Sequence, residues 1–422
     1  MRKVSAGLVV IVLAFSVLLT VGVQPAESES STRTVVVPDD YQIIQEAIDD
    51  ANAGDTVWVK SGSYHQNVTI DKQLSLIGEN SEITIIYGFR NFNVLAPDTT
   101  IQINADGVLV SDFTLTNCSV GIRANGDGIQ LVSNVIDCDP IGIAFTGSNG
   151  TIANNTVTSL QYGDITIVGS NNSIYGNTIA DGSLELEGAL NTMDSNFATE
   201  RINLEKANFN VLSRNNCTFL FLTEHCSHNA VIGNVFDGKG IAQYAIRIWG
   251  SDNVFSENYF SNSSYGVYLG HIDSCVRNMF YHNMFINNYE GHVKFTNSNW
   301  SDHFWDNGVE GNYYDDYTGV DNNNDGIGDS PYRVEETRYE ESAGEDVTVV
   351  FFEDEYPSMV PYYVENNKVA TPSPSNSPTS PVTTPSQEPT QNMQFETIVG
   401  VAIAIAVLSA GLGLLIYLIK RK

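Results

Sequence analysis

The chain has 422 residues, with 50 acidic and 20 basic side chains and a formal net charge of −30 at neutral pH. That balance excludes nucleic acid as the expected partner, because a phosphate-binding face is basic. It suits a solvated outer surface and sites for hard cations, and the length admits either two or three ordinary domains or one elongated repeat domain.

Residues 1 to 27 read as a secretory signal peptide. Arg2 and Lys3 form the positive start, Ala6 to Val23 the apolar stretch, and Pro25-Ala26 lies near a plausible cleavage point. An uncleaved anchor is the alternative, since the apolar run approaches the length that spans a bilayer. Val35-Val-Val then leads through Pro38-Asp-Asp-Tyr into Ile43-Ile-Gln-Glu-Ala-Ile48-Asp-Asp-Ala-Asn, an amphipathic helix closed by Gly54. A solenoid exposes its first strand row as an edge, so a helix here is the expected N-terminal cap.

From there the chain repeats itself. Gly147-Ser-Asn-Gly-Thr-Ile-Ala-Asn-Asn155-Thr-Val returns as Gly169-Ser-Asn-Asn-Ser-Ile-Tyr-Gly-Asn177-Thr-Ile and as Gly250-Ser-Asp-Asn-Val-Phe-Ser-Glu-Asn258-Tyr-Phe, with shorter echoes at Asn134-Val-Ile, Asn234-Val-Phe and Asn283-Met-Phe. The period is about 22 residues, lengthening towards the end, which suits one solenoid coil of three short strands. A β-propeller blade needs about twice that length. Inward apolar side chains would stack in columns, and an Asn recurring one place before an inward residue implies a hydrogen-bonded ladder, since an unsatisfied buried amide is costly. The expectation is a right-handed parallel β-helix of about ten coils over residues 34 to 310.

Five cysteines leave one unpaired if disulfides form. Cys118 and Cys138, one coil apart, are a possible disulfide. Cys226 and Cys275 are two coils apart, about 10 Å, which is too far to bond.

The segments Ile44-Gln-Glu-Ala-Ile48, Gly54-Asp-Thr-Val-Trp-Val59, Gly62-Ser-Tyr64, Asn67-Val-Thr-Ile70 and Leu76-Ile-Gly78 resemble the opening of pectin-lyase-like β-helices. The later coils look like the NosD, or carbohydrate-binding-and-sugar-hydrolase, type of repeat. The Gly311-Asn-Tyr-Tyr-Asp-Asp-Tyr317 block and Asp354-Glu-Tyr-Pro-Ser-Met-Val-Pro361 are similar to the way such domains end. The resemblance covers residues 34 to 365 and speaks to fold more than to activity.

Asp321, Asn323, Asp325, Ile327 and Asp329 match positions one, three, five, seven and nine of a Ca²⁺ loop, with Gly326 at six and the Ile327 carbonyl at seven. Tyr332 replaces the usual bidentate Glu at twelve, so Asp315, Asp316 or Glu335 would have to complete the shell. A structural Ca²⁺ in a C-terminal capping region, residues 311 to 365, is expected. Trp249, Trp300, Trp305 and Tyr314 are candidates for stacking on sugar faces, although late aromatics can equally pack over the last coils. Asp137 and Asp139 share a strand face, with Arg247 and Lys294 on later coils, but the ordered hydrolase signatures of the family are missing. No catalytic residue is assigned. His225-Cys226-Ser-His228 is the tightest soft-metal candidate and reads as a turn, not a copper site.

Residues 366 to 395 are rich in Pro, Ser and Thr and read as an extended stalk. Ile398 to Ile419 is uncharged and long enough to cross ~30 Å of hydrocarbon, and Lys420-Arg421-Lys422 marks its cytoplasmic end. Residues 396 to 422 are thus a transmembrane anchor and basic tail, and everything upstream lies outside. Asn-x-Ser/Thr sites at Asn67, Asn117, Asn149, Asn154, Asn171, Asn216, Asn262 and Asn299 are all on that side. The expected protein is a single-pass cell-surface β-helix that binds or scaffolds envelope carbohydrate. A polysaccharide lyase or glycoside hydrolase, and a purely structural spacer, are the alternatives.

Overall fold

The structure is a computed structural model that describes residues 32–90, 98–158, 164–270, 275–295, 303–340 and 345–362. The expected signal, stalk and membrane anchor, together with Trp300 and Asn299, lie outside the described residues. Among the described residues no helix is long and apolar enough to cross a membrane.

The chain winds as a parallel β-helix of about eleven turns. One row is a 12-stranded parallel sheet that begins Thr34–Val37, Thr56–Val59, Ser75–Gly78 and ends Ala230–Ile232, Val254–Ser256, Met279–Tyr281. Each coil adds one strand in register. Leu131 pairs with Ile152, Ile152 with Ile174, Ile174 with Met193, and so on through Leu212, Val231 and Phe255 to Phe280. All of these side chains are buried. Alternation of small β-branched and polar residues places one apolar column per strand inside, while the partners between them face out. Two further rows complete each coil. The third row, which carries the surface of interest, includes Leu184–Ala189, Tyr244–Ile248, Tyr265–Leu269 and Gly291–Phe295.

The predicted asparagine ladder is present and is doubled. Asn134, Asn155, Asn177, Asn196, Asn215, Asn234, Asn258, Asn283 and Asn312 form one stack. Each donates its backbone N–H and its side-chain amide to the Oδ1 of the next, at 2.8–3.1 Å. The second amide hydrogen goes to a core carbonyl, as from Asn155 to Leu131. A second ladder runs through Asn172, Asn191, Asn210, Asn229, Asn253 and Asn278. These amides are buried, yet their donors and acceptors are satisfied, which is the condition for keeping them in a core. A residue with left-handed φ precedes many rungs, for instance Ser133, Asn154, Gly176 and Ser195 in one ladder and Asn171, Leu190, Phe209 and His228 in the other. The bend turns the next backbone N–H onto the rung of the following coil.

The helix forms over Ile44–Asp50, ends at Ala51 rather than at Gly54, and buries Ile44, Ala47 and Ile48. At the far end, two internal aromatic stacks replace the aliphatic columns. Phe255, Phe280, Trp305 and Phe352 follow one another at 4.7, 4.5 and 4.2 Å between ring centroids. Phe236, Phe260, Phe285, Tyr314 and Tyr332 form the other, closing at 3.8 Å between the two tyrosines. Tyr332 and Phe352 belong to an antiparallel hairpin, Tyr332–Glu340 with Glu345–Asp354.

Candidate functional site

Strand register brings a line of outward residues together on the third row. Glu185 pairs with Asn203, Asn203 with Phe221, Phe221 with Arg247, Arg247 with Tyr268, and Tyr268 with Lys294. Residues that stand at the same position in successive coils lie one strand spacing apart, about 4.8 Å. The Arg247 guanidinium carbon lies 4.3 Å from the centre of the Trp249 ring, 5.3 Å from Tyr268 and 5.4 Å from Phe221. Trp249 meets Phe221 edge-on at 4.8 Å. Tyr244 packs on Tyr268 at 4.4 Å, and the Lys294 ammonium lies 5.1 Å from the Tyr265 ring. The result is a partly exposed aromatic patch with a caged cation, a surface suited to stacking and charge contact.

Of the four aromatics expected to stack on sugar, Trp249 belongs to this patch. Trp305 and Tyr314 do not. They are only 2 % and 1 % exposed and sit inside the terminal stacks, so no ring face is free. The alternation that points Phe280 and Phe285 inward points these two inward as well, and packing over the last coils wins. Phe221 and Tyr244 escaped sequence reading, because their relation to Arg247 runs between coils rather than along the chain.

The acidic loop is organised by hydrogen bonds among its own residues. Asp321 accepts from the backbone N–H groups of Asp325 and Gly326, at 3.2 and 2.9 Å, Asn323 accepts from Asp325, and Asp325 accepts from Ile327. Gly326 has φ +88° and Asn324 +59°, left-handed conformations that turn the chain sharply within the loop. Asp329, at position nine, instead takes the backbone and side-chain N–H groups of Asn322, at 2.8 and 2.6 Å. Ile327 pairs in antiparallel fashion with Ser358, and the loop is held there by Gly328 N–H to Pro357 and Met359 N–H to Gly326. Asp315 and Asp316 are otherwise engaged. Both face the buried His292 Nε2, at 3.0 and 3.2 Å, while Asn287 N–H binds Asp315 and the Tyr332 hydroxyl binds Asp316. The Asn288 amide stands 3.2 Å from His292 Nδ1 and also donates to the Phe260 carbonyl, with its oxygen on Ser263 N–H. Nδ1 is therefore the acceptor and Nε2 carries the hydrogen that the carboxylates share.

Asp137 and Asp139 lie on early coils, beside Thr116 and Arg90, five register steps before the Arg247 strand. They do not converge with Arg247 and Lys294. Cys118 and Cys138 pair in register with Cα atoms 4.9 Å apart, inside the span of a disulfide. Cys217, Cys226 and Cys275 are buried free thiols. Burial pushes Cys217 and Cys275 up to about 12.

Residues 183–319 match the family model described as periplasmic copper-binding protein (NosD). That stretch is NosD-like. No curated protein matches the chain. Among solved structures, the PL6 family alginate lyase AlyGC is similar at 14 % identity and TM-score 0.44, over 69 % of this chain and 52 % of that one. The A-module of the Azotobacter vinelandii mannuronan C-5 epimerase AlgE6 gives 12 %, 0.46, 65 % and 95 %. The catalytic domain of a GH87 alpha-1,3-glucanase gives 12 %, 0.43, 68 % and 70 %. The chain spans about half the length of the first of these. These are pectin-lyase-like right-handed β-helices, and the likeness is one of fold.

The copper in that family description finds no matching donor set among the described residues of the NosD-like stretch. Its three free thiols are buried, Met193 lies in the core, and His225 points outward beside Glu224 while Cys226 binds the Leu204 carbonyl inside. His228 stacks on Phe209. The clustered group among the described residues, His292 with Asp315 and Asp316, is mostly oxygen, a donor set that does not suit Cu(I).

Proposed function

We propose that the protein is a surface-exposed carbohydrate-binding β-helix, delivered by its N-terminal signal and held to the membrane by the helix at residues 398 to 419. The observation that carries the carbohydrate reading is the aromatic patch of Phe221, Tyr244 and Trp249, backed by the buried Tyr268, on an outward strand row. Rings fixed on strands offer apolar faces that match the C–H faces of pyranose units, and little ordering is needed on binding. The helix Ile44–Asp50 serves as the N-terminal cap. Loop 321–329 serves as a structural Ca²⁺ site, its acids and the Ile327 carbonyl supplying hard oxygen ligands beside the final hairpin. Cys118 and Cys138 form a disulfide, as an extracytoplasmic compartment permits.

The NosD match, whose description is periplasmic, supports a location outside the cytoplasm. The test is binding of the full-length protein to an array of envelope polysaccharides. Trp249→Ala should abolish the signal while thermal stability stays close to wild type. Retained binding in that variant removes the patch from the reading.

A further inference from the structure

Acidic residues outnumber basic ones by 50 to 20, and among the described residues many basic side chains sit within ion-pair distance of an acid. Arg33 sits on Asp50, Lys60 on Asp39, Arg201 on Glu185, Lys206 on Glu187, Arg214 on Asp194 and Arg277 on Asp252. Arg247 and Lys294 have no carboxylate within ion-pair distance among the described residues, although Glu290 stands in the same region and interacts with Tyr244. Aromatic rings surround them instead. Arg247 Nε is buried with no hydrogen-bond partner. Two coils earlier in the same column, the buried Asn203 Oδ1 also lacks one, while its amide nitrogen binds Glu185. Register places Tyr268 between the two cations, so both line one outward row, two strand spacings apart.

Resting on the carbohydrate reading, we infer that this row selects an anionic sugar, with Arg247 as the specificity-determining residue and Lys294 as a second contact further along the same polymer. Ring faces raise the attraction of the guanidinium for an anion by excluding water, and they hold its plane fixed. A planar donor fork in a fixed orientation recognises a carboxylate or a sulfate ester and gives a neutral hydroxyl far less. A Lys–Arg pair set two coils apart along one row favours a chain that runs along the solenoid axis over one that crosses it.

The experiment is affinity electrophoresis of the full-length protein in native gels cast with polygalacturonate, with a sulfated galactan, or with neutral dextran. Retardation is expected in an anionic gel and not in dextran, and the polymer that retards identifies carboxylate or sulfate as the group read. Arg247→Met keeps the apolar stem and should weaken retardation roughly tenfold or more, with Lys294→Met weaker in effect. If Arg247→Met fails to fold, the salt response of the unmodified protein decides: the interaction should fade as NaCl rises towards 1 M, where screening extends to about 3 Å. Retardation unchanged by Arg247→Met or by salt overturns the inference. Retardation in dextran alone, lost with Trp249→Ala, overturns it and leaves the carbohydrate reading intact. No retardation in any gel overturns both.

Discussion

Asn312 and Asp354 meet at a single oxygen: the backbone N–H and the side-chain amide of Asn312 both donate to Asp354 Oδ2, at 2.7 and 3.1 Å. A carboxylate thus takes the place of the tenth rung in a ladder of nine asparagines. The Tyr314 hydroxyl reaches the same oxygen at 3.2 Å, and Tyr356 N–H binds the other at 3.0 Å. The rung joins the final hairpin to the last coil.

Burial pushes the Asp354 carboxyl up to about 7 against those donors, with Asp306 adding repulsion. Its unfolded value is about 4. The fold therefore binds the proton more tightly than the unfolded chain does. Asp354's contribution is complete below about pH 4 and is lost as pH rises through about 7. Thermal unfolding of the full chain at pH 5 and pH 8 should show the higher midpoint at pH 5. In Asp354→Asn that difference should shrink, because the amide keeps the acceptor and removes the titration. An unchanged difference would assign the pH response elsewhere.

A mid-ladder asparagine should matter far more than its neighbour in sequence. Asn215→Ala removes a donor to the Met193 carbonyl and to Asn234, and it strands the two donors of Asn196. Denaturant unfolding should report a loss of about 3 kcal/mol or more, given the cost of unsatisfied buried groups. Asn216→Ala, on the partly exposed strand residue beside it, should cost under about 1 kcal/mol.

Trp249 and Trp305 should separate cleanly. Trp305→Ala empties a site between Phe280 and Phe352 and should cost about 3–5 kcal/mol, with no direct effect on polysaccharide contact. Trp249→Ala should do the reverse.

If loop 321–329 holds Ca²⁺, adding the ion to chelator-treated protein should raise its thermal midpoint, and saturation at a hundred times Kd corresponds to about 2.7 kcal/mol. Asp321→Ala removes a carboxylate whose two oxygens also organise the Asp325 and Gly326 amides, so it should abolish the response. A midpoint indifferent to both Ca²⁺ and chelator would mean that the loop binds no structural ion.

The Cys118–Cys138 pair should appear as a linked peptide in non-reducing digests. Its reduction should lower stability by about 3 kcal/mol for a loop of this size. Cys217, Cys226 and Cys275 should react with alkylating agents only after unfolding.

Much of the coil architecture was readable from Asn155, Asn177 and Asn258, since an amide recurring one place before an inward apolar residue must be satisfied by its counterpart in the next coil. The period was only partly readable. Asn177 to Asn234 is crossed in three steps of 19 residues through Asn196 and Asn215, where Leu190, Phe209 and His228 take the corner that Asn171 or Asp252 occupies elsewhere. Without the Gly-Ser-Asn signature those coils do not announce themselves. The surviving signal is a pair of asparagines five apart, as in Asn191 and Asn196 or Asn210 and Asn215. The recognition surface was least legible. Arg247 and Lys294 are far apart in sequence, and strand register alone makes them neighbours, while Trp305 and Tyr314 have the same composition signature as surface aromatics and differ only in which way their strand faces.

Coils of 19 residues and coils of 29 share one continuous amide column. The pitch is thus set at two fixed corners and is indifferent to how much chain travels between them. New loops can lengthen any turn while the interior stays in step, so such a scaffold can acquire new surface chemistry one coil at a time without rebuilding its core.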